Sequence, residues 1–187
     1  LKTMDRCIRF ALLTGVTKFG KISVFSDLNN LNDISMDEPF VSICGLTEKE
    51  VHNNLEEDLH ELATVQKMTY EQVCAELKEC YDGYHFVEDS EGIYNPFSVL
   101  SALSKSRFGN YWFASGTPTF LVEMLKKTDY DLREMEGVEV SAASLSDDRA
   151  NIHNPIPMIY QSGYLTIKEY DERFNQYTLG FPNEEVK

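Results

Sequence analysis

The first pattern along the chain is a run of apolar residues at 8–13, which ends at Thr14 and Gly15. An apolar run of roughly 4–8 residues that stops at a turn signal is typical of a buried strand. Further on, apolar residues recur about every third position from Ile22 to Leu31, which predicts a short helix. We therefore expect a buried strand, a polar turn and an amphipathic helix at the start of the chain.

Two capping boxes predict the next helices. Thr47 pairs with Glu50, and Thr69 pairs with Gln72, at the spacing that lets side chain and backbone bond each other at a helix start. We expect the second of these helices to end at Asp82-Gly83. The apolar positions after each box recur at helical spacing and predict the buried faces: Val51, Leu55, Leu59 and Leu62 in one helix, and Val73, Leu77, Cys80 and Tyr81 in the next.

Two more helix starts are predicted by a capping residue that is followed by proline. These starts are Asn95-Pro96 and Thr117-Pro118. In the helix after Asn95, the spacing of Phe97, Leu100 and Leu103 predicts that these three side chains face inward.

The last third of the chain alternates short helical and strand patterns. We expect a strand at 138–140, a short helix within 141–148, a helix at 155–162 that Gly163 stops, and strands at 164–170 and 176–179. A helix followed by a hairpin is the outline of a winged helix. Acidic residues crowd this end of the chain, so we expect it to pack or relay rather than to bind DNA.

Composition narrows the classes of function. The net charge of −14 argues against a large contact with a nucleic-acid backbone, although residues 1–26 carry +4 and the rest −18. No apolar run approaches the roughly 20 residues of a membrane span, and no signal peptide is recognisable, so we expect a cytoplasmic protein. The cysteines and histidines have no ligand spacing, and we expect no structural metal.

Residues 15–21 fit the phosphate-binding pattern G-x-x-x-x-G-K, which a strand also precedes. Ile22 stands where a P-loop needs serine or threonine for magnesium, and no later apolar strand ends in a convincing magnesium-binding acid. From the pattern alone, a P-loop and an ordinary strand, turn and helix both remain open.

A set of ordered motifs spans nearly the whole chain: FALLTGVTKFGKISVFSDLNNLNDIS, YDGYHF, YNPFSVL, YWFASGTPTFL, IYQSGYLTIKEY and YTLGFPNEEV. These motifs resemble a family of AAA-type P-loop ATPases found mainly in bacteria, whose members often continue into a PD-(D/E)xK nuclease-like domain. The resemblance implies that the P-loop and the magnesium-binding acids lie upstream of this chain. It also implies that the G-x-x-x-x-G-K match is accidental.

The same resemblance assigns candidate phosphate residues. Residues 8–14 resemble a sensor-1 strand, so Thr14 is expected to bond the γ-phosphate or the attacking water. Lys18 or Lys21 is expected to stabilise phosphate charge, with Thr17 as a weaker candidate.

The motif YDGYHF at 81–86 is a glycine turn flanked by aromatic residues. From the residues alone, it is a packed corner between helices. It also resembles the glycine loop that lies near the nucleotide base in related ATPases. On that resemblance, Tyr84, His85 and Phe86 are candidates for adenine or ribose contact.

The resulting expectation is a helix-dominated α+β fold. Residues 1–40 would be the remnant of an αβα P-loop ATPase core, 41–130 a helical lid, and 131–187 a winged-helix-like end. The function implied is the nucleotide-sensing and lid portion of an ATPase that uses ATP and Mg²⁺ in the full-length protein. We expect this fragment to bind no cofactor tightly and to lack catalysis by itself.

The expected partners are the upstream ATPase core and the downstream nuclease-like domain, with homo-oligomers possible because AAA relatives often form rings. Contact with membranes is not expected, nor is direct nucleic-acid binding. Two rivals remain: an acidic helical adaptor whose aromatic turns are all core, and a stand-alone P-loop protein that uses residues 15–21.

Overall fold

A computed structural model describes residues 7–15, 32–116, 122–123, 125–126, 131–145 and 154–187. Over these residues the chain is a helix-dominated α+β protein with a three-stranded antiparallel sheet. A short 3-10 helix at Glu38–Phe40 comes first. Five helices follow it: α1 Glu48–Asn54, α2 Glu56–Gln66, α3 Tyr70–Tyr81, α4 Pro96–Ser104 and α5 Tyr111–Gly116.

Both predicted capping boxes are confirmed. Glu50 N donates to Thr47 Oγ1 at 3.2 Å, while Thr47 N donates to Glu50 Oε2 at 2.9 Å. The same reciprocal pair joins Thr69 and Gln72 at the start of α3. Each box satisfies backbone N–H groups that have no partner inside the helix, which fixes where the helix begins.

The first predicted helix is divided in two, which corrects the expectation of one continuous buried stripe. Leu55 leaves the helical conformation (φ −123°, ψ 19°) and lies between α1 and α2. The new helix begins with three acidic residues, Glu56, Glu57 and Asp58, whose charges favour a helix N-terminus.

Helix α4 begins as predicted, but its buried face is not the predicted one. Asn95 Oδ1 accepts from Phe97 N at 3.0 Å, which confirms the cap. Phe97 and Leu100 are each 51% exposed, so the prediction that they face inward was wrong. The buried face is formed by Ser98, Val99, Ala102 and Leu103, because Ser98 bonds a buried carboxylate on its inner side.

These helices enclose one cluster of buried side chains, which we call the helical core. Its members come from four helices and the segment before α4: Val51, Leu59, Leu62, Ala63, Val73, Leu77, Tyr81, Tyr94, Val99, Ala102 and Leu103.

The second half follows the predicted order of elements. A 3-10 turn at Leu132–Met135 leads to β1 Val138–Ser141, α6 Ala142–Leu145, α7 Ile156–Gln161, β2 Thr166–Asp171 and β3 Gln176–Gly180. The strand order is β1-β3-β2, with both pairings antiparallel. The turn between β2 and β3 forms because Asp171 Oδ1 accepts from Arg173 N at 2.8 Å and Asn175 takes φ 51°. The helix followed by a hairpin is thus confirmed.

A second cluster, the sheet core, lies between this sheet and its helices. It contains Met135, Val140, Leu145, Ile156, Met158, Ile159, Leu165, Ile167, Tyr177 and Leu179. Residues 181–187, which follow β3 and return toward the helices, are called the C-terminal segment. Among the helices of the described residues, none combines the length and the apolarity needed to cross a membrane.

The predicted strand at 8–13 is wrong. These residues are exposed and have no regular secondary structure beyond Cys7, with Phe10 82% exposed. A strand needs a neighbour to bond its N–H and C=O groups, and no strand in the described part of the chain pairs with this segment. The predicted helix from Ile22 and the helix start at Thr117-Pro118 lie outside the described residues, as do residues 1–6 and 16–31 of the proposed core remnant.

Candidate functional site

The glycine turn after α3 is a tight corner against the C-terminal segment. Tyr81 ends α3 fully buried, and its hydroxyl donates to Gly109 O at 2.9 Å. Gly83 follows at φ 95°, where the carbonyl of Pro182 occupies the place a Cβ would take. Glycine is therefore required at this corner both by backbone conformation and by space.

The residues after the corner are held in an extended conformation. Tyr84 forms an antiparallel bridge with Ile93, and the Ile93 N–H donates to Tyr84 O at 3.0 Å. A second bridge joins Tyr94 to Leu46. Successive side chains of extended backbone point to opposite sides. Tyr84 and Phe86 accordingly line one cavity, while His85 lines another.

The first cavity, which we call the aromatic cavity, has a volume of about 240 Å³. It is smaller than the ~300–1,000 Å³ typical of sites for drug-sized ligands, so it suits one flat ring system rather than a whole nucleotide. It is lined by Gly15, Cys44, Gly45, Tyr84, Phe86, Ile93, Tyr94, Asn95, Pro96, Trp112, Gln161, Ser162 and Gly163.

The aromatic side chains of this cavity come from separate parts of the chain. Trp112 belongs to α5, and its ring meets Tyr164 with centroids 4.9 Å apart at an interplanar angle of 55°. Gly163 lies under this ring, since a Cβ there would be 3.5 Å from Trp112 Cζ2. Desolvation raises the pKa of Tyr84, and hydrogen bonding to the nearby side chains of Asn95 and Asn183 opposes part of that shift. Aromatic side chains of this kind are chemically suited to contact a heteroaromatic ring.

The ring and the backbone of His85 both form hydrogen bonds within the protein. Its Nδ1 lies 2.8 Å from the carbonyl oxygen of Ser90, and a carbonyl only accepts, so Nδ1 carries the proton. The His85 backbone N–H donates to Thr166 Oγ1 at 2.6 Å, and the Thr166 hydroxyl donates back to His85 O at 3.1 Å. The structure thus separates His85 from the other two members of the predicted base-contacting trio.

The candidate phosphate residues are only partly described. Thr14 is exposed, and Gly15, the residue directly after it, lines the aromatic cavity. The end of the first described segment therefore lies beside the glycine turn, about seventy positions away in sequence. Thr17, Lys18 and Lys21 lie outside the described residues.

A second, larger space of about 460 Å³, the charged cavity, lies between the end of α3, the sheet and the C-terminal segment. Burial raises the pKa of Asp82 and lowers that of Lys168 at this cavity. Asp82 Oδ1 is buried and has no hydrogen-bond partner among the described residues. Within the described ranges, no group of three or more His, Cys, Asp or Glu side chains is arranged to hold a metal ion.

Sequence reasoning missed the role of Glu185. The sequence shows it only as one of the acidic residues that crowd the end of the chain, whereas it is 5% exposed. Its carboxylate accepts from Ser98 Oγ at 2.6 Å and from Trp112 N at 2.7 Å. Trp112, the second residue whose role was missed, lies at the wall of the aromatic cavity. Neither position has a local spacing signal, because both depend on contacts between distant segments.

No family model matches this chain, and no solved structure matches it. The chain is similar to a protein described only as an uncharacterized protein in the vnfD 5' region of Azotobacter chroococcum mcd 1. The two are 38% identical over 189 residues, which cover 100% of this chain and 34% of the relative. The chain thus spans about a third of the length of the curated relative that it matches.

Proposed function

We propose that this chain is the nucleotide-sensing and lid portion of an AAA-type P-loop ATPase, and that the aromatic cavity receives the adenine base. One observation carries the proposal. Gly15, next to the candidate sensor Thr14, lines the same cavity as Tyr84, Phe86 and Trp112. The family resemblance assigns phosphate contact to the first segment and base contact to the glycine turn, and a single bound nucleotide needs both segments in one neighbourhood.

The roles proposed follow from the chemistry of each side chain. Phe86 and Trp112 offer aromatic faces to the base, a contact that is worth about 1–3 kcal/mol per base in nucleic-acid complexes. Tyr84 contributes its ring to the wall of the cavity. Thr14 senses the γ-phosphate or the attacking water, and its exposure leaves the hydroxyl available. His85 is not proposed for base contact, because its ring bonds Ser90.

The rest of the nucleotide site belongs to the whole protein and is proposed on the family resemblance. ATP and Mg²⁺ would be held by an upstream P-loop and acids, with Lys18 or Lys21 stabilising phosphate charge and Thr17 as a weaker candidate. Catalysis is then a property of the full-length ATPase and not of this chain alone.

The sheet half is proposed as a winged-helix-like relay to a downstream nuclease-like domain. Its strand order of β1-β3-β2 supports that comparison, as does the position of α6 and α7 between β1 and β2. The chain's net charge of −14 argues against direct DNA contact. We propose a cytoplasmic protein, with homo-oligomers possible.

Calorimetry with ATP on this chain and on the full-length protein that contains it tests the proposal. Binding by the longer protein alone supports a sensor and lid, whereas binding by this chain alone revives a P-loop at residues 15–21. Thr14→Ala is expected to slow ATP turnover while largely sparing ATP binding. Lys21→Ala abolishes binding only if residues 15–21 form a P-loop.

A matched pair of variants tests the base site. Phe86→Ala is expected to weaken ATP binding about tenfold, in line with the loss of one stacking face. Phe174→Ala is the control, because Phe174 is 69% exposed in the hairpin turn. Equal ATP affinity in both variants would remove the base-site assignment.

The adaptor is the second candidate. It is favoured by one observation, the exposure of Phe97 and Leu100 side by side on α4. Absence of ATP binding in both lengths of protein would favour that reading.

A further inference from the structure

The C-terminal segment ties the sheet half of the molecule to the helices. Asn183 Nδ2 donates to Asp82 O at 2.8 Å, and Glu184 N donates to Glu79 O at 3.1 Å. Both acceptors belong to the end of α3 and its cap. The segment that leaves β3 is therefore bonded directly to the helix that leads into the glycine turn.

Glu185 extends this connection to two further helices. Its carboxylate accepts one hydrogen bond from the Ser98 hydroxyl of α4 and one from the Trp112 backbone N–H of α5. The side chain is buried, and the described residues supply these two donors but no cationic partner. A buried carboxylate without a cation depends strongly on its hydrogen bonds, so loss of either donor is costly.

Trp112, whose backbone N–H bonds the Glu185 carboxylate, also forms a wall of the aromatic cavity. The Trp112 ring packs on Tyr164 and over Gly163, and it faces the space that Tyr84 and Phe86 also line. The position of the Trp112 backbone fixes where this ring lies. Glu185 is thus a positioning residue for the cavity, although it does not itself line it.

We propose that Glu185 couples occupancy of the aromatic cavity to the position of the C-terminal segment. The inference rests on the proposed function and deepens it. A base stacked on Trp112 opposes displacement of that ring and so strengthens the attachment of Glu185. Conversely, release of the segment frees the first turn of α5 and loosens the cavity wall. Such coupling is reciprocal, since each event must change the free energy of the other by the same amount.

Whether Glu185 positions Trp112 can be tested without a ligand. Trp112 is the one tryptophan of the chain, so fluorescence excited at a wavelength that tyrosine does not absorb reports on it alone. Glu185→Gln keeps the side-chain volume but removes the charge, so the hydrogen bonds lose their charge-assisted strength, and the Ser98 hydroxyl must turn to accept from the new NH₂ group. We expect red-shifted emission and faster quenching by acrylamide. The control is Glu184→Gln, the same change at a side chain that is 53% exposed.

The coupling between the aromatic cavity and the C-terminal segment is tested with ATP on the full-length protein. ATP is expected to slow amide hydrogen exchange across residues 181–187 in the wild type, but not in Glu185→Gln. Glu185→Gln is also expected to bind ATP about tenfold more weakly, within the usual range of coupling between sites. Ser98→Ala, which removes the other donor, should weaken binding in the same direction and serves if Glu185→Gln does not fold.

The outcomes distinguish failure of the proposed function from failure of the coupling through Glu185. No ATP binding by the wild type removes the proposed function and this coupling together. Wild-type binding that Glu185→Gln and Ser98→Ala both leave unchanged overturns the coupling and leaves the base site standing. Weaker binding in Glu184→Gln as well would show a general charge effect and would likewise overturn it.

Discussion

The helical core and the sheet core are built in different ways. In the helical core, α1, α3 and α4 begin at side chains that cap them locally, as the boxes Thr47–Glu50 and Thr69–Gln72 show. In the sheet core, β1 pairs with β3, which follows some forty residues later, with Val138 opposite Leu179. Local contacts form at little cost in chain entropy, whereas distant pairings require closure of a long loop.

The two cores are apolar clusters, whereas the contacts that connect them are hydrogen bonds. Glu185, Asn183 and Thr166 bond helix ends and the glycine turn through specific polar atoms. Polar contacts of this kind fix one geometry, because a displaced buried donor or acceptor loses its partner. The comparison indicates that the cores supply stability, while the polar connection sets the shape of the aromatic cavity.

The largest effect is expected from the cores. Leu59→Ala removes a fully buried side chain of α2 and should lower the free energy of unfolding by about 2–5 kcal/mol. Leu100→Ala makes the same chemical change at a 51% exposed site and should cost no more than about 0.5 kcal/mol. Urea denaturation followed by circular dichroism measures both. Equal losses would contradict the position of the helical core.

An intermediate effect is expected at the glycine turn. Gly83→Ala introduces a Cβ where the Pro182 carbonyl lies and at φ 95°, whereas Gly137→Ala has positive φ but open space. We expect Gly137→Ala to cost about 1 kcal/mol from backbone strain, and Gly83→Ala to cost clearly more. Gly83→Ala should also speed hydrogen exchange in the C-terminal segment. A smaller loss of unfolding free energy for Gly83→Ala than for Gly137→Ala would contradict the packing of the C-terminal segment against this turn.

The smallest effect is expected at the first capping box, where it depends on pH. The backbone N–H of Thr47, and then its hydroxyl, lower the pKa of Glu50 below the usual 4.5. A lowered pKa adds stability that is present above about pH 4.5 and is lost as pH falls through the folded-state value. Thr47→Ala removes the hydroxyl but keeps the backbone N–H that bonds Glu50, so it should cost about 1 kcal/mol at pH 7 as the loss of a cap, and only slightly less at pH 3.

Glu50→Gln provides the control for that prediction, since it keeps a box of the kind that Gln72 forms in α3. In the Glu50→Gln background, the cost of Thr47→Ala should not change with pH. A pH dependence that survives in that background would assign the effect to other carboxylates.

Features specified by adjacent residues could be predicted from the sequence. The starts of α1, α3 and α4, and the turn between β2 and β3, follow from side chains that bond the backbone within three positions. The glycine turn was predicted because glycine readily takes the positive φ that ends a helix.

Features that depend on distant contacts could not be predicted. The face of α4 was misjudged because Ser98 faces inward to bond Glu185, which is 87 positions away. The apolar run at 8–13 lacked the partner strand that its composition implied. Of the candidate site residues, alternation alone would have separated His85 from Tyr84 and Phe86, but only the fold brings Trp112 beside them.

The most direct test of the central claim, that the aromatic cavity receives the adenine base, is photolabelling of the full-length protein with 8-azido-ATP. The azide is attached to the base, so peptides that carry the label identify the side chains around it. We expect labelling of peptides that contain Tyr84 and Phe86 or Trp112, and we expect unlabelled ATP to suppress it. Labelling confined to other peptides, or labelling that ATP does not suppress, would contradict the claim.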